Sequence, residues 1–139
     1  MLFRSKADCM YPWKGLNELT YGIRASEMVM ITAGSGLGKS QVIREIIYNI
    51  LINTDSNIGV MMLEESVTKT AKSIMSIYAN KPLHVPDVEV TDDELRQSFD
   101  ATLGTGRLYF WDHFGSNTIE SVINRIKYMA KALECKYIF

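Results

Sequence analysis

The chain has 139 residues, close to half of them apolar, and a formal net charge of −1. That length supports one domain with a real core, and so balanced a charge excludes a global basic field, so any affinity for nucleic acid has to come from local sites or from regions outside this sequence. The longest apolar runs fall far short of a membrane span and the N-terminus lacks the apolar core of a signal peptide, which leads us to expect a cytoplasmic protein without a membrane partner.

In chain order, the sequence alternates short apolar runs with amphipathic helical stretches, the pattern of a parallel sheet with crossover helices. Residues 28–32 read as a first strand. A helix follows a glycine-rich turn, with Val42, Ile43, Ile46, Ile47, Ile50 and Leu51 at helical spacing. Residues 58–63 read as a second strand, continuously apolar like a strand buried on both faces. Ser66 is placed to cap the next helix, whose Val67, Ala71, Ile74, Met75 and Tyr78 share a face. After a loop marked by Pro82 and Pro86, Thr91-Asp92-Asp93-Glu94 has the form of a capping box opening a short helix to about Ala101. Residues 104–106 close that excursion. Residues 108–111 make a third strand, and Asn117-Thr118-Ile119-Glu120 offers a second capping box. The helix behind it carries Val122, Ile123, Ile126, Met129, Ala130 and Leu133 on one face, the most regular pattern in the chain. A fourth strand begins at Tyr137. Because an apolar strand of this kind is normally central, we expect the chain to be a piece of a longer protein.

Between the first strand and its helix lies Ala33-Gly34-Ser35-Gly36-Leu37-Gly38-Lys39-Ser40. A polyphosphate site needs backbone N–H groups converging at a helix N-terminus, and the three glycines let the backbone turn and approach closely. This is the pattern of a P-loop, with Lys39 facing the β- and γ-phosphates and the Ser40 hydroxyl a ligand for Mg²⁺. Ala33 stands where the strict pattern has Gly. Nucleotide hydrolysis also needs a carboxylate near the attacking water and usually an acid supporting the metal. Glu64 and Glu65 end the second strand, at the edge where open α/β sheets bind ligands, and Asp112 ends the third. The helix macrodipole accounts for Glu65 better than for Glu64. Asp112 is open to two readings, a metal-supporting acid or a turn residue. Cys9 and Cys135 are too few and too far apart for a zinc or disulfide framework, so both are expected to be reduced thiols. His84 and His113 lack a partnered ligand set and read as ordinary core or surface histidines.

Several segments together resemble one family. P-W-K-G-L-N-E-L-T-Y-G-I-R at 12–24, A-G-S-G-L-G-K-S at 33–40, L-E-E-S at 63–66, A-T-L-G-T-G-R-L-Y-F-W-D-H-F-G-S at 101–116 and I-K-Y-M at 126–129 are similar to the helicase domain of bacteriophage primase-helicases, cyanophage versions among them, with the mitochondrial Twinkle helicase and bacterial DnaB as relatives. The resemblance implies an α/β RecA-like P-loop NTPase fold, a mainly parallel sheet with helices on both faces. It implies a lead-in over 1–24 and the N-terminal half of the ATPase domain over 25–139, cut at the start of the Walker B strand. It further implies a hexameric ring on single-stranded DNA that couples hydrolysis of ATP, dTTP or another NTP with Mg²⁺ to translocation and unwinding in DNA replication. On this reading residues 33–40 bind the triphosphate, Ser40 the metal, and Glu64 is the catalytic carboxylate. Asp112 is demoted, because the family's Walker B strand corresponds to the one starting near Tyr137. The family's Walker B Asp, γ-phosphate sensor, DNA-binding loops and arginine finger would all follow Phe139, so DNA is met through regions absent from this chain. Ser26 departs from the Gly that the family often has before the residue matching Glu27. Three other readings stay open: a recombinase-like or clock-protein-like RecA ATPase, a non-catalytic nucleotide-binding module, and a small P-loop kinase using Asp112.

Overall fold

The computed structural model describes residues 6–112 and 117–139. Three strands, β1 (Asn57–Val60), β2 (Leu108–Phe110) and β3 (Cys135–Ile138), form a parallel sheet in the order β2-β1-β3. Parallel neighbours need long crossovers, and helices supply them. The β1-to-β2 connection carries α3 (Val67–Ala79) and α4 (Asp92–Ala101), and the β2-to-β3 connection carries α5 (Ile119–Lys131). Two helices precede the sheet: the short α1 (Lys14–Thr20), and α2 (Lys39–Asn53), which follows the glycine-rich turn. This is an α/β arrangement compatible with part of a RecA-like domain.

Strand alternation divides the packing between two faces. Ile58 and Val60 join Ile46, Ile47, Ile50 and Leu51 of α2 and Ile74 of α3 in the core cluster. Gly59 points the other way, where an added Cβ would come within 2.7 Å of Met129 Sδ on α5. The absent side chain therefore lets α5 lie against the central strand. The N-terminal residues belong to the first face. Cys9 and Ile23 form an antiparallel bridge and enter the core beside Tyr11, and the Asn49 side chain on α2 donates to Met10 O at 2.6 Å.

Several local readings hold. Ser66 caps α3 by accepting from the Lys69 N–H. Thr91 and Glu94 complete a reciprocal capping box on α4, the Glu94 side chain accepting from Thr91 N and Thr91 Oγ1 from Glu94 N. Others need correction. Residues 28–32 form no strand: they lie in no ladder, and Met28, Val29 and Met30 are exposed. The outer edge of β3 has no ladder partner among the described residues, and a cavity of about 370 Å³ separates Val29 and Ile31 from Tyr137, Ile138 and Phe139. A strand is defined by pairing, and without that pairing the apolar run is only extended chain.

The sheet strands are also displaced from their expected bounds: β1 ends at Val60 and β3 begins at Cys135. At α5 the cap is Thr118, whose hydroxyl accepts from Ser121 N, so Glu120 is one position short of a capping box. The α5 face is also less buried than its periodicity implies: Met129 is buried, whereas Ile123 and Ile126 are exposed. On α3 the buried side is turned toward Thr70 and Ser73, with Ile74 and Met75, and Tyr78 stays 43% exposed.

Candidate functional site

In a parallel sheet the helix that precedes a strand starts at that strand's carboxyl edge. The N-terminus of α2, the residues after β1 and the residues after β2 therefore gather at one edge of the sheet, the usual location of ligands in such folds. The turn leading into α2 carries Gly36 at φ 76° and Gly38 at φ 86°. A Cβ at either would meet nothing within 4 Å, so the demand for glycine is conformational and not a matter of space.

The two ends of α2 are treated differently. At the C-terminus, Arg107 donates to the Leu51 carbonyl at 2.8 Å and to the Thr54 carbonyl, placing a cation where the helix dipole is negative. At the N-terminus, Gly38 gives no side-chain cap and the first turn contains no acidic residue. The contrast with α4 is sharp: its first turn holds Asp92, Asp93 and Glu94 behind the Thr91 cap. The positive end of α2 is thus left for something else. Over it, Lys39 folds back, with Nζ donating to Ala33 O at 2.9 Å and to Gly34 O at 3.2 Å. Ser40 is half-buried, and its hydroxyl makes no hydrogen bond among the described residues.

The two acids after β1 are unequal. Glu65 is only 14% exposed at its side chain and is ion-paired with Arg44 of α2. Thr70 Oγ1 donates to it at 3.5 Å and Lys69 Nζ lies 3.9 Å away. Glu64 is exposed and has no such partners among the described residues. Of the two acids after β1, the one available to a ligand is therefore Glu64. Asp112 is exposed just beyond β2, an outer strand of the sheet.

Arg44 is not legible as a site residue in the sequence, where it interrupts an otherwise apolar helix face. Its spacing of four from Ser40 was the available signal, since residues four apart share a helix side.

The remaining candidates are quieter. Cys9 and Cys135 are free and buried, and burial pushes both thiols up, away from the reactive thiolate. His84 is exposed, and His113 lies outside the described residues. Among the described residues no cluster of three His, Cys, Asp or Glu side chains forms a metal site, and no helix is long and apolar enough to cross a membrane.

The architecture is thus that of an α/β domain with an open, uncapped helix start and an exposed carboxylate after the central strand, at the same sheet edge. No family model matches the chain. It is 30% identical over 129 residues to a DNA helicase/primase of Enterobacteria phage T3, a match that takes in 90% of this chain and 23% of that protein. The chain is thus related to a phage helicase-primase and spans less than a quarter of its length.

Proposed function

We propose that the chain is the nucleotide-binding part of a replicative, ATP-dependent DNA helicase. The observation that carries the reading is the start of α2: a helix N-terminus preceded by two left-handed glycines, with no cap, no acid in its first turn and Lys39 lying over it. This donor set suits a polyphosphate. Backbone N–H groups and the helix dipole favour negative charge, and Lys39 exchanges the Ala33 and Gly34 carbonyls for β- and γ-phosphate oxygens. The Ser40 hydroxyl is free to serve as a ligand for Mg²⁺, which when bound neutralises phosphate charge. Residues 33–40 together form the cradle.

Glu64 is the catalytic carboxylate in this reading, orienting the attacking water and drawing off its proton. Of the paired acids after β1 it is the free one, whereas Glu65 is already engaged. Relatedness to a phage DNA helicase/primase supports the helicase part of this reading; translocation on single-stranded DNA, a hexameric ring and a cytoplasmic place of work in an infected bacterium are proposed with it, as the resemblance of the sequence motifs implies.

Substitution of the two exposed acids in the full natural protein that carries this chain tests the proposal. Glu64→Gln is expected to lower nucleotide turnover about 10²- to 10⁴-fold with triphosphate affinity largely kept. Asp112→Asn is expected to stay within a few-fold of the unmodified protein. If Asp112→Asn proves the more damaging with binding and folding intact, the carboxylate has been misassigned and a kinase-like reading gains.

A further inference from the structure

We propose that Arg44 and Glu65 are positioning residues that set the distance between the phosphate cradle and Glu64. The inference rests on the functional reading above. Arg44 sits one helical turn beyond Ser40 on α2, and Glu65 is the chain neighbour of Glu64 in the turn after β1. Their ion pair is therefore a cross-brace between the element that starts with Lys39 and Ser40 and the turn that carries the carboxylate.

The brace is buried at Arg44 and mostly shielded at Glu65, with side-chain exposures of 9% and 14%. Gln41, on the first turn of α2, accepts from Arg44 Nη1 at 3.5 Å, and Thr70 on α3 donates to Glu65 at 3.5 Å. Stability alone is a poor account of this arrangement. A buried ion pair is commonly matched or surpassed by an apolar pair of similar volume, and here Arg44 Nε is buried without a hydrogen-bond partner among the described residues. A guanidinium–carboxylate contact, however, fixes direction as well as distance, which an apolar contact does not. Glu64, exposed and otherwise unrestrained, takes its position from this neighbour. Misplacement of a catalytic group by about 1 Å is enough to lose roughly 10²-fold in rate.

The test uses the full natural protein, with Arg44→Met and Glu65→Leu combined so that neither charge is left buried alone. The expected result is a melting temperature and an affinity for an Mg²⁺–triphosphate analogue close to those of the unmodified protein, with kcat about 10- to 100-fold lower. Adding Glu64→Gln to that background is expected to cost correspondingly less than it does in the unmodified protein, because the carboxylate it removes is already out of place. A merely structural pair would leave the Glu64→Gln penalty unchanged. If the double variant does not fold, Arg44→Lys, which keeps the charge and loses the planar fork, is read in the same two ways. Unaltered kcat, or a full Glu64→Gln penalty in the variant background, overturns the inference while the functional reading stands. No hydrolysis by the unmodified protein, or none of it sensitive to Glu64→Gln, overturns the functional reading and the inference with it.

Discussion

Residues 57–60 and 28–32 look alike in the sequence, each being a short apolar run next to a helix, yet they have opposite fates. The first is the central strand, with Ile58 and Val60 essentially inaccessible and ladders on both sides. The second is open chain, with Met28 89% and Met30 76% exposed. What separates them is not hydrophobicity but whether the run is paired. β1 has β2 on one side and β3 on the other, whereas 28–32 faces β3 across a cavity. An apolar run specifies that burial is favourable, and only a partner specifies where. A tether ties the segment just before 28–32 to β3: Asp8 accepts from the Ala25 N–H at 2.7 Å and pairs with Lys136 of β3 at 2.6 Å.

Amide exchange is the harshest way to break this comparison. Ladder amides of β1 open only with global unfolding, whereas those of 28–32 need no opening, so a difference of about 10³-fold or more in protection is expected. Equal protection by exchange mass spectrometry would mean that 28–32 is a paired strand in solution. Substitution gives the next largest effect. Ile58→Ala is expected to cost about 2 to 5 kcal/mol in denaturant unfolding, by lost burial plus the cavity left behind, whereas Met28→Ala should stay within about 0.5 kcal/mol.

A smaller change should improve the open region. Ser26 sits at φ 64°, a left-handed conformation that glycine adopts without a Cβ penalty. Ser26→Gly is expected to raise unfolding free energy by up to about 1 kcal/mol, the relief exceeding the added chain entropy. A loss of stability on thermal melting would show that this conformation is not strained.

The smallest effect concerns the tether. The Lys136 side chain, then the Ala25 N–H, hold the Asp8 carboxyl below its ordinary range, and Asp8 in turn raises Lys136. A depressed carboxyl contributes fully above its unfolded value and loses its contribution as pH falls through the lower folded one. The raised lysine contributes below its unfolded value and loses its contribution as pH rises through the higher folded one. Asp8→Asn should therefore flatten the decline in stability between about pH 5 and pH 2. A decline identical to that of the unmodified protein would show that the tether does not form.

Short-range chemistry was legible and long-range choice was not. The Ser66 cap, the Thr91–Glu94 box and the apolar stripe of α2 depend on neighbours within a turn or two, and they stand where spacing put them. The turn at 33–38 and its glycines are legible for the same reason. The unpaired 28–32 run, the exposed side of α5 and the Arg107 cap on α2 depend on partners dozens of residues away. The Arg44–Glu65 brace, 21 residues apart in the chain, likewise lies beyond the reach of local spacing. At the α5 start the misreading was local: Asn117 and Thr118 are both good caps, and the choice of Thr118 moves Glu120 off the reciprocal position.

The central claim is that the turn at 33–38 and the start of α2 hold a triphosphate through Lys39. Isothermal titration of the chain with Mg²⁺ and a slowly hydrolysed nucleoside triphosphate, alongside Lys39→Ala, tests it directly. The account predicts saturable binding at one site, weakened at least about tenfold by the substitution, as loss of a charge-assisted contact requires. Equal affinity in both proteins, or no binding by the unmodified chain, would contradict it.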